Sequence, residues 1–169
     1  MMAAMKIRHE LQYDASPADV FAMLADVNFR EKVCQAQKSN SCTVSIEPAG
    51  IEPSGGQMSV IVDQKRPSEG IPGFARKIVG DEIQLVQSED WSDSANAALT
   101  VVIPGKPGRF DATITLTGSE SGSVETIDGD LVVSIPLLSG KLEKLIAGLL
   151  DEALRVEKRV ARAWLAGDR

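Results

Sequence analysis

The chain has 169 residues, 43% of them hydrophobic and 25% charged, the composition of an ordinary soluble globular domain with room for one substantial core. Eighteen lysines and arginines against 24 aspartates and glutamates give a net charge of −6, which argues against nucleic acid or an anionic membrane surface as partner. No apolar run reaches the roughly 18 residues of a membrane span, and residues 1–5 lack the apolar core of a signal peptide.

Read in chain order, residues 1–4 form a flexible extension, and Met5–Tyr13 then alternates strictly. Ile7, His9, Leu11 and Tyr13 share one face and Lys6, Arg8, Glu10 and Gln12 the other, the pattern of a half-buried strand. Ser16-Pro17-Ala18-Asp19 reads as a helix N-cap, a first-turn proline and an acidic residue at the third position. Val20, Phe21, Leu24 and Val27 supply that helix with an inner face to about Asn28, and a second short helix fits residues 30–37.

Strand patterns follow at fairly regular spacing, over residues 42–47, 58–65, 83–91, 97–103, 110–117 and 123–135. Short turns between the later strands imply hairpins, hence an antiparallel sheet. Residues 67–73 hold two prolines and two glycines and read as a loop. From Pro136 to Trp164 one long amphipathic helix is expected. Its stripe runs through Leu138, Leu142, Leu145, Ile146, Leu149, Ala153, Val156, Val160 and Trp164, with most charges opposite. Such a face must be buried, and the inner side of the preceding sheet is the partner large enough to bury it. The whole of residues 1–169 reads as a single α+β domain.

Few residues offer chemistry. His9 is the polar residue on its strand's apolar phase; it reads as a cavity-wall group for a ligand or as a satisfied core histidine. Gln87 and Glu89 share a phase with Leu85 and Trp91. Facing a cavity, Glu89 would be a desolvated carboxylate with a raised pKa; alternatively it pairs with a cation such as Arg76. Ile71 and Phe74, among prolines and glycines, suit a lid at a cavity mouth or simple packing. Cys34 and Cys42 have neither metal-site nor redox-motif spacing, so free thiols in a cytoplasmic protein are the default. No metal set, cofactor motif or phosphate loop is present in the sequence. Aromatic residues make up 4%, which favours an aliphatic ligand over stacked bases or sugars.

The run Tyr13-Asp14-Ala15-Ser16-Pro17-Ala18-Asp19-Val20-Phe21, a charged strand passing into "A-S-P-x-x-V-F", resembles the opening of the START-like superfamily, which includes Bet v 1-like and polyketide-cyclase proteins. Three later segments resemble an actinobacterial family of unknown function within it, DUF2505: Phe74-Ala75-Arg76-Lys77-Ile78-Val79-Gly80-Asp81, Gln87-Ser88-Glu89-Asp90-Trp91 and Ile135-Pro136-Leu137-Leu138-Ser139-Gly140-Lys141-Leu142. The resemblance implies a helix-grip fold: about seven antiparallel strands around the C-terminal helix, with a cavity between them. It implies a hydrophobic small molecule or lipid as ligand, with Leu138, Leu142, Ile146 and Leu149 facing His9 and Gln87. A cyclase- or hydrolase-type enzyme and a protein-interaction module are the competing readings, and monomer and homodimer both remain open.

Overall fold

The computed structural model describes residues 4–48 and 56–169, so residues 1–3 of the expected extension lie outside the described residues. Strand β1 (Met5–Tyr13) leads into α1 (Pro17–Leu24) and α2 (Val27–Ala36). Strands β2 (Ser41–Glu47) and β3 (Met58–Pro67) follow, then α3 (Gly73–Val79). The chain continues through β4 (Glu82–Asp93), β5 (Asn96–Val102), β6 (Arg109–Ser119) and β7 (Gly122–Val132) to α4 (Ser139–Leu165). The strands form one antiparallel sheet in the order β1-β7-β6-β5-β4-β3-β2.

Each strand buries the face its alternation requires. Ile7 and Leu11 in β1, Val60 and Val62 in β3, Leu99 in β5, Ile114 and Leu116 in β6, and Ile127 and Leu131 in β7 are buried on one side. Ile61, on the opposite phase of β3, is 45% exposed. The first and second strands are the two edges of the sheet, and α1 and α2 connect them. A short two-helix connection between opposite edges requires the sheet to curl. At Gly129 of β7 the neighbouring strand comes close: a methyl group there would lie 2.2 Å from the Asp111 carbonyl oxygen and 2.5 Å from Ala112 Cβ, so glycine alone fits without moving the backbone.

The first helix begins as its sequence indicates, with the Ser16 side chain accepting from the Asp19 amide at 3.2 Å and Pro17 at its start. The single helix expected to reach Asn28 is divided, because Asp26 caps a new one by accepting from the Asn28 amide at 2.9 Å. The loop expected over residues 67–73 gives way at its last residue, Gly73, to α3, whose short body carries Phe74, Ala75 and Ile78 towards the core. The long helix starts at Ser139 rather than Pro136. Leu137 has φ 67°, a left-handed conformation that cannot join a right-handed helix, and the Leu138 amide turns back onto the Ile135 carbonyl. Among the described residues no helix is long and apolar enough to cross a membrane.

One end of the interior is filled by α1, α2 and the C-terminal half of α4. Val20, Phe29 and Ala161 are fully buried there. Phe21 meets Trp91 edge-on at 5.4 Å, and Phe29 meets Trp164 in the same way at 5.7 Å.

Candidate functional site

A charged cluster lies inside this apolar frame. Its centre is Glu89 on β4, 3% exposed, with Arg30 of α2, 4% exposed. The guanidinium grips the carboxylate with two bonds, Nη1 to Oε2 at 2.8 Å and Nη2 to Oε1 at 2.9 Å, while Nε donates to the Leu24 carbonyl at 2.8 Å. Gln87 Nε2 donates to Glu89 Oε2 at 2.6 Å and Trp91 Nε1 to Oε1 at 2.9 Å. Burial opposes ionisation of Glu89, but the Arg30 charge and these four donors outweigh it and hold the carboxyl below the usual carboxylate range. A raised Glu89 pKa, expected for an unpaired carboxylate in a cavity, is thus corrected. Its cation is Arg30; Arg76, the partner suggested by sequence, lies 3.6 Å from Asp81 instead.

Two further carboxylates belong to the same electrostatic neighbourhood. Glu125 projects from the inner face of β7 and is buried, with the Tyr13 hydroxyl donating to its Oε1 at 3.3 Å. Glu157 on α4 is half-buried. Burial, then the Glu157 and Glu89 charges, push Glu125 up to about 8. Burial is also the main cause for Glu157, pushed up to about 7 despite Arg30 nearby. The Tyr13 hydroxyl is pushed up by burial and by both glutamates. With one guanidinium among three carboxylates, full ionisation would leave uncompensated negative charge in the interior, so the cluster holds a proton near neutral pH.

Beyond this cluster the interior changes character. Leu85, Gln87 and Val101 are half-buried although they lie on the same phases as buried Glu89 and Leu99. On α4 and at its N-cap, Leu138, Ile146, Ala147, Leu150 and Leu154 pack against the core while remaining half-buried. Gln87 therefore stands at a boundary, bonded to the sealed Glu89 and itself accessible.

The residues singled out in the sequence divide accordingly. Gln87 and Glu89 are joined directly. Leu142 is buried and Ile146 and Leu138 are half-buried on the inner side of α4, whereas Leu149 is 40% exposed. Leu142, Leu145, Ile146, Val160 and Trp164 of the expected stripe pack on the core together with Leu150, Leu154 and Ala161; Leu149 is not among them. His9 does face α4; its Nδ1 is 3.9 Å from Asp151 Oδ1, too long for a hydrogen bond. Ile71 and Phe74 are half-buried and pack on the core, and Lys141 Nζ sits 4.3 Å from the centre of the Phe74 ring. A surface depression of about 480 Å³ bordered by Glu47, Gln57, Ser59, Asp90 and Ser92 lies elsewhere, at the Met58–Trp91 end of β3 and β4.

Four cluster members carry no site signal of their own in the sequence. Glu125 shares the inner phase of β7 with Ile127 and Leu131, and Glu157 lies seven residues from both Leu150 and Trp164, so the periodicities contain both. Tyr13 is legible as inward-facing, but its acidic partner is not. Arg30 offers only its position beside Phe29, since its partner is 59 residues away.

Residues 8–165 match the family described as "Protein of unknown function (DUF2505)". The uncharacterized protein Rv0481c of Mycobacterium tuberculosis is 22% identical over 165 residues, covering 92% of this chain and 94% of its own. Among solved structures, the Zhui aromatase/cyclase from Streptomyces sp. R1128 superposes with a TM-score of 0.66 at 9% identity, covering 97% of this chain and 94% of that one. TTHA0849 from Thermus thermophilus gives 0.64 at 15% identity, with 96% and 97% covered. A START superfamily protein from Mycobacterium smegmatis gives 0.57 at 13%, with 94% and 97% covered. At these identities the likeness concerns fold: a seven-stranded antiparallel sheet with a long C-terminal helix. The match over most of its length makes this chain a member of the DUF2505 family, built on the START-like helix-grip fold.

Proposed function

We propose that this protein binds a hydrophobic small molecule or lipid between the inner face of β4–β5 and the N-terminal half of α4. The observation that carries this reading is the half-exposure of apolar side chains that point inward from both sides. Leu85 and Val101 on the sheet and Ile146 and Leu150 on the helix remain accessible, while the other end of the same interior is sealed. Apolar surface turned inward but left wet gains about 25 cal/mol per Å² when a ligand covers it. Gln87 and the half-buried Glu157 offer the ligand's polar end a hydrogen-bonding partner, and Phe74 with Ile71 borders the α3 side. Glu89 and Arg30 satisfy one another and act as the frame that orients Gln87.

A dansyl-labelled acyl chain tests this. Saturable binding with a blue shift is expected for the native protein. Ala147→Trp, which places an indole on the inner side of α4, weakens binding about tenfold or more, whereas Ile61→Ala on the outer face of the sheet leaves it unchanged. Equal binding by Ala147→Trp would contradict the location.

A second reading is acid–base catalysis in the same space, favoured by the proton held by Glu125 and Glu157 beside Tyr13. It assigns the proton transfer to Glu157, the accessible member. A pairing of His9 with Glu89 is disfavoured, because they stand on β1 and β4, four strands apart, and Glu89 is already fully engaged.

A further inference from the structure

Cys34 and Cys42, whose spacing matches no redox motif, are brought together by the fold. Cys34 lies on the buried side of α2 and is 2% exposed; Cys42 is half-buried on the inner phase of β2, an edge strand of the sheet. Their sulfurs are in direct contact, 2.6 Å apart. The backbone between them is fixed by the Ser39 amide bonding the Cys34 carbonyl at 3.1 Å and the Asn40 amide bonding the Lys65 carbonyl at 2.7 Å. The Gln64 side chain, opposite Cys42 in the sheet, bonds both Ser39 and Gln37 across the same turn. The meeting of the two thiols is therefore held by the turn itself and by both elements that flank it.

We propose that Cys34 and Cys42 form an oxidisable dithiol that a peroxide converts into an intramolecular disulfide fastening α2 to the edge of the sheet. Cys42, the more accessible sulfur, attacks one peroxide oxygen as its thiolate. The O–O bond breaks, the departing oxygen takes up a proton and leaves as water, and Cys42 becomes a sulfenic acid. Cys34 then loses its proton and attacks Cys42 Sγ, the S–O bond breaks, and a second water departs. Overall the two thiols give up two protons and two electrons, and hydrogen peroxide is reduced to two waters. Burial, then the contact with Cys42, push the Cys34 thiol up, so the second step, which needs the Cys34 thiolate, is favoured in base. Cys34 follows Arg30 by one helical turn, so the new bond pins the helix that supplies the partner of Glu89.

The test uses the full chain treated with a small excess of hydrogen peroxide and analysed without reductant. The expected product is a monomer that has lost two hydrogens, yields a Cys34–Cys42 linked peptide on digestion, and returns to the dithiol with dithiothreitol. Its melting temperature rises by about 5–10 °C over the reduced form. Cys34→Ala is expected to stop at the Cys42 sulfenic acid, trapped as its dimedone adduct, and to gain no melting increment. If Cys34→Ala does not fold, the peptide map of the native chain decides alone. Two thiols still free after treatment, disulfides only between chains, or oxidation of Cys42 to the sulfinic acid without the linked peptide would each overturn the proposal.

Discussion

Glu89→Gln is expected to destabilise the protein by about 3–5 kcal/mol. The substitution preserves size and removes the negative charge that balances Arg30, leaving a guanidinium that is 4% exposed without a counter-charge. It also replaces an acceptor of four hydrogen bonds with an amide whose nitrogen accepts none, so the donors from Arg30, Gln87 and Trp91 no longer all find partners. Removing both charges is milder: Arg30→Met with Glu89→Leu leaves no buried charge and costs about 2 kcal/mol or less, because desolvation of the ions disappears together with their attraction. Urea denaturation of the three proteins at pH 6 checks this. A loss under about 1 kcal/mol in Glu89→Gln, or a loss in the double variant as large as in Glu89→Gln, would show that the ion pair does not organise this interior.

Stability is expected to peak near pH 5 and to fall by a few kcal/mol towards pH 9. Two opposite linkages meet there. Glu125 and Glu157 titrate in the folded protein at about 8 and about 7, above the ordinary 4.5. Folding therefore favours their protonated forms, so their contribution is complete below about pH 4.5 and is lost as pH rises through 7 and 8. It amounts to at most ~1.4 kcal/mol for every tenfold difference in proton affinity between the folded and unfolded chain. Glu89 runs the other way. Its folded pKa lies below 4.5, so its contribution is present above that pH and is lost as pH falls through the folded value. Arg30 stays charged throughout and Tyr13 stays neutral, so neither reshapes the curve. The double substitution Glu125→Gln with Glu157→Gln should flatten the alkaline limb and raise stability at pH 8 by about 1–3 kcal/mol. Denaturation midpoints at pH 5, 7 and 9 measure it; a native protein equally stable at all three would contradict the buried acidic pair.

The frame of the molecule was legible because it rests on local periodicity. Strict alternation located the inner face of the first strand, a shared phase grouped Leu85, Gln87, Glu89 and Trp91 on the fourth, and the Ser16-Pro17 cap located the first helix. Where the sequence misled, a local signal was overridden by geometry beyond its window. Leu149 stands only about 20° round the helix from the buried Leu142, so periodicity alone carries no sign that it is exposed. Pro136 looks like a helix start, yet Leu137 adopts a conformation no helix accepts. Gly73 looks like loop and instead opens α3. Polar residues on apolar phases were visible, as His9, Gln87 and Glu89 show. Their partners were not, because Arg30 with Glu89 and Cys34 with Cys42 are joined by docking of α2, and Tyr13 with Glu125 by the pairing of β1 with β7.

Protein purified without any lipid-stripping step, then denatured and extracted for mass spectrometry, tests ligand binding between the sheet and α4 most directly. One hydrophobic compound recovered reproducibly at near-stoichiometric amount from the native chain, and absent from Ala147→Trp handled identically, is the expected result. Extracts from the two proteins that match each other, together with no saturable uptake of the acyl probe, would contradict it.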